Sequence, residues 1–422
     1  MLDKSFDMLS NTEHRQPPAD GPLAIAEEGV SAARIGEIGA ALVDSLAAAL
    51  SRLPEFRSGP QRLADRLGVD KVVASRLLKG LSGTVMEAVH RLPGPAPLRR
   101  VLAGCDGAGV PRALVATAER AVADFERLIR DEVGDRSALE TVLSASVPAA
   151  RREFELRRKQ TAFRAMSQLK GAEADVLTAA VLLAPGADAE RIDVVWVSGL
   201  LGLRRLRPGV PVKFATRRFL AKPGARRPTS LGGAPVDDLG QVRLDAFCSS
   251  PPPALRATRI GEVVHYTLGD EGFGPGHAAD LAFCEVNRAE LPRYLALTST
   301  RRSYFFAEVQ VPCRALLLDV VVHRGLFPKG EPELRIYDTV LEGVADANDP
   351  ARDADRFDLD ERITALPAGG WRSARAPRHA SLIAHVCERL AWDAGAMRIY
   401  RCEIDYPIYG SQVAMVFEPE RR

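Results

Sequence analysis

Apolar residues at helical spacing dominate the first third of the chain. From Ser31 to Leu53 they fall at Ile35, Ile38, Leu42, Leu46 and Leu50, one stripe of a 3.6-residue repeat that predicts an amphipathic helix. Residues 1–22 are polar with no apolar core, so no signal peptide is expected, and residues 1–30 are expected to be a flexible tail. Pro54 and Ser58-Gly59-Pro60 break the stripe, and Pro60 suits a first helical position, where the missing N–H costs nothing. Short helices are predicted over 61–67 and 71–81, then from Val85 to His90 and over 97–103. A longer helix over 111–133 carries Leu114, Ala118, Ala121, Val122, Phe125, Leu128 and Ile129 along one side. Another runs from about Ser137 to Lys170, interrupted near Pro148.

Near Gly171 the pattern changes. Short β-branched runs separated by turn residues predict strands at Ile192–Val197, Val210–Ala215, Glu262–Leu268, Tyr304–Val311, Leu316–His323, Leu334–Tyr337, Met397–Ile404 and Gln412–Phe417. Helical interruptions are predicted at 289–297 and 379–394. The fold class is therefore multidomain α and α+β: an all-α N-terminal region, then a strand-rich α+β domain. The expected domains are the tail (1–30), a domain of short helices (31–92), a helical linker region (93–170) and the strand-rich domain (171–422).

Residues 60–81, PQRLADRLGVDKVVASRLLKGL, give each apolar position a task. Leu63 and Leu67, four apart, share a face of the first helix, and Ala64 is small enough for two helices to cross closely. Gly68 stands where a left-handed turn is needed. Val69 packs inward, and Ala74, Leu77, Leu78 and Leu81 form the buried face of the second helix. That leaves Lys71, Val72, Ser75, Arg76 and Lys79 outward, with Asp70 as N-cap. From Arg57 to Leu81 six basic residues stand against two acids, a local charge of +4 in a chain of 422 residues whose net charge is only +2.

This segment resembles the helix-turn-helix of bacterial regulators, in the style of the LacI, IclR and related tri-helical groups. Ala64, Gly68, Val69, Ala74 and Leu77 match the pattern. The resemblance covers about 31–83, with the helix at 31–53 as the supporting third helix, and departs from winged families in having a helical stretch in place of a β-hairpin after Leu81. It implies a cytoplasmic transcriptional regulator that binds double-stranded DNA through Gln61, Arg62, Asp70, Lys71, Val72, Ser75, Arg76 and Lys79. It further implies a homodimer, because one such module reads only one half-site. Helices 111–133 and 137–169 are the expected dimer surfaces, and the C-terminal domain the site of a small-molecule effector. An interaction module that binds protein, or an enzyme with an accessory DNA-binding module, remain the alternatives.

Two other segments are basic. Residues 151–170 read either as a helix lying along DNA or as an inter-domain helix with a solvated face. Residues 204–227 carry nine Lys/Arg and no acid, and Arg204, Arg205, Arg207, Arg217 and Arg218 are candidate anion or phosphate contacts. The acidic stretch Asp346–Glu361 is the alternative, internal partner for this block.

Catalytic chemistry finds no pattern. There is no nucleophile elbow and no P-loop, and His379 and His385 are six apart, which does not put them on one helical face. Asp353, Asp355, Asp358 and Asp360 alternate as calcium ligands do but lack the glycine of an EF-hand loop. The six cysteines are too scattered for zinc and are expected as buried reduced thiols. No apolar run reaches bilayer length, so no membrane span is expected, and the missing motifs leave no cofactor or catalytic residue expected.

Overall fold

A computed structural model describes residues 32–145, 147–218, 227–269, 272–328 and 330–422. The expected tail lies outside them. The described residues form two compact units, 32–155 and 156–422, the division falling inside a helix. The class is mixed α+β: helices up to residue 170, then sheets.

The N-terminal unit contains helices α1 (Ala32–Leu50), α2 (Pro60–Leu67), α3 (Lys71–Gly80), α4 (Val85–Arg91), α5 (Pro95–Gly107), α6 (Arg112–Arg127), α7 (Arg136–Ser144) and the first turns of α8 (Pro148–Lys170). One core joins α1 to α7. Ile35, Leu42 and Leu46 of α1, Leu63 of α2, Leu77 of α3, Val89 of α4, Leu98 of α5 and Phe125 of α6 are all fully buried within it. The stripe over 111–133 folds as α6 followed by a π-turn at Leu128–Val133, which Gly134 ends. α1 packs chiefly against α6 and α4, whereas α2 is backed by α5 and α3 by α4. The helix at 31–53, expected as the supporting third helix, shares one core with α2 and α3, with α6 and α4 as its main partners. Helix α4, which stands where a wing would follow, backs α3.

The C-terminal unit is built on a seven-stranded sheet. Its strands are β1 (Ala172–Pro185), β2 (Arg191–Arg205), β3 (Lys213–Arg218), β4 (Thr229–Ser230), β5 (Leu255–Ile260), β6 (Val263–Leu268), β7 (Ala279–Pro292), β8 (Tyr294–Leu295), β9 (Ser303–Glu308), β10 (Cys313–His323), β11 (Glu333–Asp338), β12 (Thr364–Leu366), β13 (Met397–Asp405), β14 (Ser411–Phe417) and β15 (Glu420–Arg421). The large sheet has the order β12-β13-β10-β1-β2-β7-β4, with β1 and β10 parallel and the other neighbours antiparallel.

Both faces of that sheet are covered. Helix α9 (His379–Leu390) lays Leu382, Ile383, Val386 and Cys387 on one face, against Leu182, Val195, Val197 and Val321. On the other face, Phe305, Val413 and Met415 of the β11-β14-β9 sheet and Phe214 and Tyr266 of the β3-β6-β5 sheet meet Leu177, Leu316 and Leu318. Double coverage explains why β1, ADVLTAAVLLAP from Ala174, shows no alternation. The predicted helix at 289–297 is instead the end of β7 and then β8. Ala289 has φ 49°, and Asp193 accepts its N–H while Arg191 donates to its carbonyl, so the strand absorbs an irregular residue and continues. Pairing with β2 overrides a helix-forming composition.

Candidate nucleic-acid interface

The turn between α2 and α3 is set by Gly68, at φ +64°, where a side chain is strained. The N–H groups of Gly68 and Val69 both close onto the Ala64 carbonyl and satisfy the end of α2. Gly104 of α5 allows the other close approach. A Cβ there would lie 2.3 Å from the Leu67 carbonyl oxygen, so α5 can press on the last turn of α2 only with glycine at that position. Asp70 caps α3, its Oδ1 accepting from the Val72 N–H at 2.6 Å.

Ala74 and Leu77 are buried, and Leu78 and Leu81 half-buried, on the inner side of α3. On the outer side Lys71, Val72, Arg76 and Lys79 are exposed, Val72 by 63%, and Ser75 is half-buried. Gln61 and Arg62 are exposed at the start of α2. Three of these candidate residues already have partners. Gln61 donates to Asp65 Oδ1 at 2.9 Å, Asp70 serves as the cap, and Arg76 reaches over to α4. Arg62, Lys71 and Lys79 are the solvated cations of the face, without a side-chain ion pair among the described residues.

The arginine block that begins at Arg204 is differently disposed. Arg204 of β2 lies directly across from Glu173 of β1, donates to it at 2.5 Å and also pairs with Asp175 at 3.0 Å. Arg205 is buried, with its donors on the Val210 and Leu268 carbonyls at 2.7 Å. Arg217 is buried against Glu285 at 2.9 Å. Arg207 is exposed and touches the Leu169 carbonyl at 3.4 Å. Arg218 ends β3, while Lys222 and Arg226 lie outside the described residues. Arg204, Arg205 and Arg217 therefore face inward and form no common basic surface for a phosphate. Nor is the acidic stretch 346–361 the partner of Arg204. It meets Arg301 through Asp346, Arg352 through Asp355 and Lys159 through Glu361.

Residues 156–170 of the basic helix α8 pack within the C-terminal unit. Lys159 is buried on Glu361, Gln160 donates to the Tyr406 hydroxyl at 3.3 Å, and the Phe163 ring lies 5.4 Å from that of Tyr406. Arg157, Arg158, Arg164 and Lys170 remain on the exposed side.

A buried charge cluster has no counterpart in the sequence motifs. Asp319 of β10, with no exposed surface, sits directly across from Arg401 of β13, which grips it with Nε and Nη2, both at 2.8 Å. His379, the first residue of α9, places Nε2 2.8 Å from Asp319 Oδ2, and its Nδ1 is buried without a partner. Arg401 also donates to the Trp371 and Arg372 carbonyls, at 3.0 and 2.7 Å. Burial alone would push the Asp319 carboxyl up, but the hydrogen bonds from Arg401 and His379 outweigh it and hold the group below the usual carboxylate range.

All six cysteines are free and buried, and burial pushes the thiols up, to about 11 at Cys105 and about 12 at Cys313, which disfavours the reactive thiolate. Among the described residues no group of three or more His, Cys, Asp or Glu is placed to hold a metal ion, and no helix is long and apolar enough to cross a membrane. No protein-family model matches the chain, and no curated protein matches it significantly.

Proposed function

We propose that the N-terminal unit binds double-stranded DNA, with α3 entering the major groove, and that the chain is a sequence-specific transcriptional regulator acting as a homodimer in the bacterial cytoplasm. The observation that carries this reading is the outer face of α3. Lys71, Val72 and Lys79 are solvated there, while Ala74 and Leu77 fix the helix from behind. A helix so presented offers cations to phosphates and an apolar contact to a thymine methyl group, as Val72 would make. The 156–422 unit would then supply effector sensing or assembly, and the helical region before it a dimer surface, because a palindromic operator needs two modules.

The test is selection of genomic fragments by the full-length protein, beside a Lys71→Ala/Lys79→Ala variant. These lysines are chosen over Arg76 because they have no structural partner to lose. Enrichment of a palindromic motif that the variant no longer selects is the expected result. Binding that ignores sequence and fades with salt would reduce the module to nonspecific attachment, and no binding at all would overturn the reading.

A further inference from the structure

Two guanidinium groups converge on the carbonyl end of α4, where a helix leaves acceptors unpaired. Arg76 comes from α3, its Nε 3.2 Å from the Arg91 oxygen and its Nη2 3.4 Å from that of Leu92. Arg136, the first residue of α7, donates from Nη2 to the carbonyls of Val89 at 3.0 Å and His90 at 2.8 Å, and lies 3.5 Å from the same Leu92 oxygen. The two differ in grip. Arg76 is exposed and its bonds are long, whereas Arg136 is largely enclosed and stacked over the Phe125 ring. Arg136 also holds a reserve, because its Nη1 is a buried donor without an acceptor.

We propose that Arg76 is a transferable contact, capping α4 in the DNA-free protein and passing its guanidinium to a DNA phosphate in the complex, while Arg136 keeps the α4 carbonyls satisfied and so acts as a positioning residue. The proposal rests on the DNA-binding reading and adds to it the residue that changes partner. Departure of Arg76 would ordinarily strand acceptors at a helix end. Here the Leu92 carbonyl stays within reach of Arg136, whose unused Nη1 can take it, and the Arg91 carbonyl lies at the partly exposed end, where water can replace the lost donor. Like-charge repulsion between the two guanidinium groups favours the transfer: burial first, and the Arg76 charge beside it, hold Arg136 below the usual arginine range against the pull of Glu140. Without Arg136, Arg76 becomes the principal cap of α4 and is released to DNA only at a cost.

The experiment is a salt series of binding to a mixed-sequence DNA duplex by fluorescence anisotropy, using the full chain and its Arg76→Ala, Arg136→Met, doubly substituted and Lys71→Ala/Lys79→Ala variants. Arg76→Ala should lower the slope of log K against log salt by about one, the loss of one phosphate contact. Arg136→Met should weaken binding by roughly fivefold, the cost of one unsatisfied hydrogen bond, and this effect should vanish in the Arg76→Ala background. If Arg136→Met does not fold, Arg136→Lys, which keeps the charge but not the fork, takes its place, and the Arg76→Ala slope remains decisive by itself. An unchanged slope for Arg76→Ala, or an Arg136 effect undiminished when Arg76 is absent, overturns the transfer. If the lysine variant nevertheless loses binding, the DNA-binding reading survives that result. Failure of the wild-type protein to bind any duplex removes both.

Discussion

Removal of the Asp319 carboxylate should be among the most damaging single changes in the 156–422 unit. In Asp319→Ala three charge-assisted hydrogen bonds of 2.8 Å disappear together. What remains is an arginine side chain 8% exposed and a histidine 2% exposed, facing each other with no carboxylate between them. Arg401 retains the Trp371 and Arg372 carbonyls, and the partly exposed Glu403 at 3.8 Å offsets its charge only in part. Breaking a buried pair on one side costs about 3–5 kcal/mol, because the desolvation already incurred by the surviving charge is no longer offset. The chain offers a selective assay. Its three tryptophans, Trp196, Trp371 and Trp392, all lie in this unit, and Trp371 adjoins the cluster. Tryptophan fluorescence in a urea titration should therefore report the loss for this unit alone. Asp319→Leu combined with Arg401→Met, which removes both charges, should recover most of it. A loss under about 1 kcal/mol for Asp319→Ala would refute the argument, since surface ion pairs are worth that little and the cluster would have to be hydrated.

Other consequences can be checked by similar means. The folded pKa of Asp319 is depressed, so its contribution is complete above the unfolded carboxylate value of about 4 and is lost as pH falls through the lowered value; acid titration of Asp319→Asn should show a flattened acid limb, and an unaltered limb would contradict it. Leu77→Ala should destabilise the N-terminal unit by about 2–5 kcal/mol, measured by circular dichroism at a helical wavelength, since Leu77 is fully buried. An unchanged midpoint would mean that the wrong side of α3 is buried. Gly104→Ala should cost about 1–3 kcal/mol through overpacking, because the atom it meets is the Leu67 backbone, which cannot step aside as a side chain could. Lys79→Ala should leave the melting temperature in place while reducing the salt slope of DNA binding by about one.

The parts of this molecule legible in the sequence are those whose interactions are local. Leu63 and Leu67 share a face because they are four apart, and Gly68 marks a turn because its backbone conformation excludes other residues, so the α2–α3 hairpin could be read residue by residue. The cluster at Asp319 could not. His379 and Arg401 are 60 and 82 residues away, and only the register of β10 with β13 and the start of α9 bring them together. The same logic applies to Arg204, Arg205 and Arg217, in the described part of the arginine block. A run of cations looks like a surface when the chain is read along its length. Yet Glu173 stands opposite Arg204 across one strand pair, and Glu285 of β7, in the other sheet, meets Arg217, so two of its charges are neutralised. Arg76 is the intermediate case. Periodicity correctly exposes it, but the carbonyls it holds belong to a helix 15 residues on, whose position depends on packing. Charge density along a sequence therefore predicts a binding surface only where the charges sit on an element whose neighbours bring no acids to it. Lys71 and Lys79 on α3 have no side-chain ion pair among the described residues, whereas Arg204 and Arg217 do.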